Sequence, residues 1–287
     1  MSNPELDALS PHEYLQHLQD REFKNGLPPF AADAADVLSA SLIAGLPPEQ
    51  RRLLDKIAIG VLPTQSVNAF AMRIPSGGEV IAFDFGLMSF LLALNKTLLC
   101  RVTAGGFDPT LELAAAAERA AAIADAFPGG QVPRWSVAPR RMLLAASLSN
   151  IQTAFVVGHE IGHFLLGHFH GKAPEGAHDP QAQAHAQEYA ADERGAEIVV
   201  SAFKAYHDPL FGAVEAALAQ AGVDIFFTYL RFLERRLGIP ASTSTHPGAG
   251  DRQARLRHRY WDELPEQARQ LADQAEKTFD AFMTVLK

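Results

Sequence analysis

The sequence predicts a predominantly helical α+β fold. Three observations carry that reading. Runs with apolar residues three and four apart, broken by Pro, Gly and Asn, cover most of the chain. One window, VNAFAMRIPSGGEVIAFDFG, reads instead as two short strands about a turn. The stretch VVGHEIGHFLLGHFH sets His159, His163, His168, His170 and Glu160 inside an apolar helical pattern. With 287 residues, 48% of them apolar and 20% charged, the chain has enough material for a core of its own.

The elements follow in order. Residues 5–24 read as an amphipathic helix ended by Asn25-Gly26 and Pro28-Pro29. Residues 30–45 and 48–60 read as two further helices, separated by Gly45 and Pro47-Pro48. The two strands then lie either side of Pro-Ser-Gly-Gly, and FGLMSFLLALNKTLL resumes as a helix. Residues 109–127 are rich in alanine, the strongest helix former. PGGQVPRWSVAPR is a Pro/Gly loop, and a long helix is expected from about Met142 to His168. GKAPEGAHDPQ reads as a polar loop. Helices over about Ala182 to Tyr206 and Phe211 to Leu237 follow, stopped by Pro209 and by Gly238 with Pro240. The loop PASTSTHPGAG leads to two final helices. No repeat and no clear linker is present. The expected organisation is one compact unit, a helical region over 1–65 joined to a main domain over 66–287 with a helical insertion at about 100–141.

Charge and composition exclude some functions. At a net charge of −8 the chain is not expected to grip a phosphate backbone, with RQARLRHRY the one local basic run, so no nucleic-acid partner is expected. A single cysteine, Cys100, rules out an intramolecular disulfide and reads as a small buried apolar residue. The N-terminus has neither a basic n-region nor an apolar h-region. The apolar stretch FGLMSFLLAL falls well short of the ~20 residues that span a bilayer. A cytoplasmic chain without membrane contact is therefore expected.

His159-Glu160-Ile161-Gly162-His163 matches HExxH. Residues four apart share a helix face, so His159 and His163 reach toward one ion. Zn²⁺ accepts neutral imidazole and wants four ligands, and a catalytic site keeps one position open. Glu160 points about a quarter-turn away, where its carboxylate holds a water as general base rather than the ion. The third ligand is sought elsewhere, because Leu166 and Phe169 stand where a HExxHxxGxxH site needs Gly and His. The next helix offers QEYAADERGAE, with Glu188 and Asp192 on one face. Glu188 is the candidate ligand. Asp192 is the candidate partner fixing the tautomer of a ligand histidine. Glu193, Glu197, Arg255, Arg257 and Arg259 read as solvated, and His168 as a structural hydrogen-bonding residue.

HEIGH, then EYAAD on the following helix, then THPGAGDR resembles the gluzincin peptidases of the HtpX and CAAX-prenyl-protease type, whose pattern is HExxH, ExxAD, HPxxxxR. Upstream, VNAFAMRIPSGGEVIAFDFGLMSFL is similar to that family's Asn-Ala-Phe-Ala segment, Gly-rich turn and following Gly-Leu. The resemblance spans discontinuous blocks from about Val67 to Arg252. It implies a zincin-like fold, Zn²⁺ on His159, His163 and Glu188, Glu160 as the base, and a peptide or protein substrate. It also implies that His246 and Arg252 sit near the scissile carbonyl or hold the ligand helix. Two features depart from the pattern: no membrane helices are expected, and the segment from Leu87 to Gly158 is long. The chain is also similar to the phage-exclusion metallopeptidases of bacteria, whose implied substrate is a host translation factor. In zincins an edge strand takes the substrate backbone, and EVIAFDF is the candidate edge here. Two alternatives use the same residues: a latent zincin that cuts one protein on activation, and a non-catalytic zinc-binding sensor.

Overall fold

The computed structural model describes residues 6–22, 29–54, 56–102, 109–127, 130–168, 179–205 and 209–287. Ten α-helices and three strands lie in these segments: α1 (Pro11–Glu22), α2 (Pro29–Ala44), α3 (Pro48–Leu54), β1 (Ile57–Leu62), β2 (Ala69–Arg73), β3 (Glu79–Asp84), α4 (Phe85–Leu99), α5 (Leu113–Asp125), α6 (Pro139–Leu165), α7 (Pro180–Ala205), α8 (Pro209–Leu237), α9 (Ala249–Tyr260) and α10 (Glu266–Val285). The fold is predominantly helical α+β, as the sequence predicts.

The sheet has the order β1-β3-β2, with β3 parallel to β1 and antiparallel to β2. The β2–β3 turn is where Pro-Ser-Gly-Gly placed it. Gly77 takes φ 95°, a left-handed conformation that costs glycine little, and its N–H closes the turn on the carbonyl of Ile74 at 3.0 Å. Two expectations fail. The helix predicted to reach residue 60 ends at Leu54, and Ile57-Ala58-Ile59-Gly60-Val61-Leu62 is a strand. Five of its six residues are buried, so an apolar run with no alternation carries no period that separates strand from helix. EVIAFDF is not an edge either: β3 is central and wholly buried, and β2, half-buried along most of its length, is an edge of the sheet.

One face of the sheet is covered by α1, through Leu15 and Leu18 against Ala58, Leu62, Val80 and Ala82. The main core runs from α2 to α10, with Phe90, Phe155, Phe227, Phe232, Phe279 and Phe282 buried in it. Cys100, just past α4, is a free buried thiol. Residues 216–237 of α8 are long and apolar enough to cross a membrane, a feature the sequence reading passed over. Inside the fold 67% of the apolar window is buried, so the helix's apolar character serves its packing between α6, α7 and α10.

Candidate metal centre

Two helices crossing closely make the site. On α6, Pro139 at the first turn starts a helix that carries His159 and His163 one turn apart. On α7, His185, Glu188 and Asp192 recur at spacings of three and four and so share a face. Small residues let the two backbones approach. A Cβ on Gly195 would lie 2.8 Å from the backbone nitrogen of His159, and one on Gly162 would lie 3.0 Å from the carbonyl oxygen of Ala191. Nothing bulkier fits at this crossing, and the crossing brings the imidazoles to the carboxylates.

The Nε2 atoms of His159 and His163 lie 3.0 Å apart. Glu188 Oε1 is 3.2 Å from His163 Nε2, and Oε2 is 3.5 Å from His159 Nε2. His159, His163 and Glu188 thus offer three converging ligand atoms that could hold a metal ion. Donor atoms about 2.0–2.1 Å from a tetrahedral ion stand about 3.3 Å from one another, which is the size of this triangle. Glu188 Oε2 is buried and makes no hydrogen bond among the described residues, so an acceptor here is left for a ligand outside the chain. All three side chains are close to buried, at 10–12% exposure.

Each imidazole is held from behind. His159 Nδ1 lies 2.9 Å from Asp192 Oδ1, which leaves Nε2 to face the centre. Asp192 in turn accepts two hydrogen bonds from Arg252, at 2.6 and 2.7 Å. His163 Nδ1 lies 2.7 Å from Nδ1 of His168. That contact depends on how α6 ends. Gly167 takes φ 73°, and the N–H groups of Gly167 and His168 turn back to the carbonyls of Phe164 and His163, a Schellman closure that folds His168 onto the helix.

The charges are mutually dependent. Burial lowers the affinity of His159 for a proton, but the hydrogen bond to Asp192 and the nearby Glu188 carboxylate outweigh it and raise its pKa to about 9. Burial pushes the carboxyls of Glu188 and Asp192 up; the histidines and Arg252 beside them win, and both sit below the usual carboxylate range. The pocket is built to hold positive charge.

Glu160 is half-buried on α6 beside His159 and has no hydrogen bond or ion pair among the described residues. His246 stands at the mouth, with its side chain 58% exposed and Nε2 3.7 Å from Glu188 Oε2. Its loop is tied down in ways the sequence did not signal. The His185 ring lies 2.8 Å from the carbonyl of Thr243, Thr243 Oγ1 accepts from the His246 N–H at 2.9 Å, and Thr245 Oγ1 meets His246 Nδ1 at 2.8 Å. Only the spacing of His185, one turn before Glu188, could have marked it. Arg252 reaches Asp192 because the first N–H of α9 docks on Glu234 at 3.0 Å.

The structure brings His159, His163, Glu188, Asp192 and Arg252 into one cluster, with His246 beside it. Of the neighbouring charges read as solvated, Arg255 and Arg259 are exposed as expected, and the reading is corrected for Glu193 and Arg257, which are drawn into ion pairs. Arg257 forks onto Asp224 at 2.6 and 2.7 Å, and Glu193 pairs with Arg255 and Arg259. Glu197 pairs with Arg194 and Arg259. His170 and His178 lie outside the described residues.

The family model for peptidase U49 matches residues 126–272, about half of the chain. The chain belongs to the peptidase U49 family. The matched span of this U49 peptidase holds the whole cluster, from the α6 histidines through Asp192 to Arg252, while the sheet lies outside it. Membership makes a peptide or protein the substrate. No curated protein and no solved structure matches the chain.

Proposed function

We propose that this chain is a zinc-dependent endopeptidase in which His159, His163 and Glu188 hold the metal. The observation that carries the reading is the triangle of two Nε2 atoms and a carboxylate, with each imidazole fixed from behind. Two imidazoles and one carboxylate are a donor set suited to catalytic zinc, which supplies a polarised carbonyl and water acidified to a pKa of about 7. Glu160 takes a proton from the attacking water and delivers it to the leaving amine. His246, exposed and held by Thr245, donates to the oxyanion of the tetrahedral intermediate. Asp192 and Arg252 orient His159. The free side of β2, which packs against α6, offers an extended substrate backbone N–H and C=O groups to pair with.

The test is metal content beside activity. Purified protein is expected to carry one zinc per chain and to cleave an unfolded protein such as casein. His163→Ala loses the metal. Glu160→Gln retains it and loses cleavage. A Glu160→Gln protein as active as wild type would sink the mechanism.

A further inference from the structure

The register of β2 decides which of its backbone groups are open. The carbonyl of Asn68 accepts from the Asp84 N–H at 2.9 Å, and the Ile74 N–H donates to the carbonyl of Gly78 at 2.9 Å. Hydrogen-bonded pairs alternate along an antiparallel ladder, so Phe70 and Met72 also turn their N–H and C=O groups to β3. Ala69 and Ala71 turn theirs outward, to an edge where no further strand pairs among the described residues.

The side chains alternate with the same period. Ala69 and Ala71 face the main core, on the α6 side, while Phe70 and Met72 face the other side of the sheet with Tyr14 of α1. That helix lies chiefly over β1 and β3 and leaves β2 at its flank. Phe70 and Met72 are therefore only half-buried, and they form an apolar ledge beside the open edge. A chain laid antiparallel on Ala69 and Ala71 continues both alternations. Its residues opposite Phe70 and Met72 point to the α1 side, with Cβ atoms about 4.5–5.5 Å from theirs. Those two residues are two apart in sequence, about 7 Å along the strand. The residue between them points to the α6 side, over the small side chain of Ala71.

We propose that Phe70 and Met72 select the substrate: an extended segment with apolar side chains at two positions separated by one residue. The docked chain is a substrate only under the endopeptidase reading, whereas the selection is a property of the sheet and is tested by binding.

Amide hydrogen exchange followed by NMR on Glu160→Gln protein is the experiment, with the end-blocked peptides Ser-Leu-Ser-Leu-Ser and Ser-Gln-Ser-Gln-Ser as probes. The leucine peptide is expected to slow exchange at Ala69 and Ala71 and to leave Phe70 and Met72, already bonded to β3, unchanged. It should bind about three- to tenfold more tightly than the glutamine peptide, the worth of two apolar cross-strand pairs. Phe70→Lys should favour a peptide with Glu in place of one Leu, a reversal that lost packing alone does not produce. Met72→Lys serves where that variant is unstable. Three results would overturn the proposal: no protection of Ala69 and Ala71, equal binding of the two peptides, or an unchanged preference in the folded lysine variant. A Glu160→Gln protein as active as wild type counts against the peptidase mechanism instead and leaves the exchange pattern standing.

Discussion

Asp192 joins the candidate metal centre to the rest of the molecule. It is 1% exposed, orients His159 and compensates Arg252. Asp192→Asn keeps the shape and removes the charge, leaving the buried Arg252 guanidinium only the longer 3.7 Å approach to Glu188. Breaking such a pair costs about 3–5 kcal/mol of stability, and removing the group behind a ligand histidine costs about 10–100-fold in metal affinity. Urea denaturation and a competing zinc chelator read the two effects separately. Zinc binding as tight as wild type would remove Asp192 from its orienting role. The proton gives a second prediction. With its folded pKa raised to about 9, His159 is protonated below that pH in the metal-free protein, so an entering cation must displace a proton. Apparent zinc affinity should therefore rise about tenfold per pH unit from pH ~7 toward ~9 and then level off. The metal-free fold behaves oppositely: the stabilisation from charged His159 is full below the ordinary histidine pKa and is lost as pH rises through about 9. Chelator competition at several pH values checks the slope. The motif around His159 was legible because its geometry is local, two residues one turn apart. The hold of His168 on His163 was less so, since it depends on the reversal at Gly167.

At the scale of elements, the site exists because α6 and α7 cross with almost no side chain between them. Ordinarily Gly→Ala inside a helix stabilises by up to about 1 kcal/mol. At Gly195 the added methyl meets the backbone of His159, which cannot move without carrying its imidazole with it. Gly195→Ala is expected to cost about 1–3 kcal/mol and to weaken zinc binding. Gly250→Ala is the control. It lies in α9, where the nearest atom to an added Cβ is 3.9 Å away on Arg231, so it should be neutral or stabilising with zinc unaffected. Thermal melts of both variants with and without zinc distinguish the two. Equal shifts would mean that the crossing tolerates bulk. The glycines stood in plain view in VVGHEIGH and DERGAE, yet sequence spacing does not say which helix they face. The same limit explains β1: five buried residues out of six give neither the alternation of a half-exposed strand nor the stripe of an amphipathic helix.

The whole molecule is pinned by a polar knot far from the chemistry. Asn95 on α4 donates to Ser149 Oγ at 3.0 Å and to Gln152 Oε1 at 2.8 Å, both on α6, and accepts from the Tyr229 hydroxyl on α8 at 2.7 Å. All four residues are buried, and Asn95 and Gln152 are fully so. No motif announces such a knot, because its partners are 54 to 134 residues apart and only the packed fold brings them together. It fixes the rotation of α6 about its axis, and that rotation aims the His159–His163 face at α7 rather than at α8. Tyr229→Phe removes the hydroxyl, leaves Asn95 Oδ1 buried without a donor, and keeps the ring contact with Phe279 at 5.0 Å. The expected loss is about 1–3 kcal/mol, the cost of a stranded buried acceptor. Because Ser149 and Gln152 still hold Asn95, α6 keeps its rotation, so zinc content and casein cleavage should match wild type at temperatures where both proteins are folded. A lower urea midpoint with unchanged zinc would assign the knot to stability. A fall in zinc affinity at full folding would show that α6 had turned.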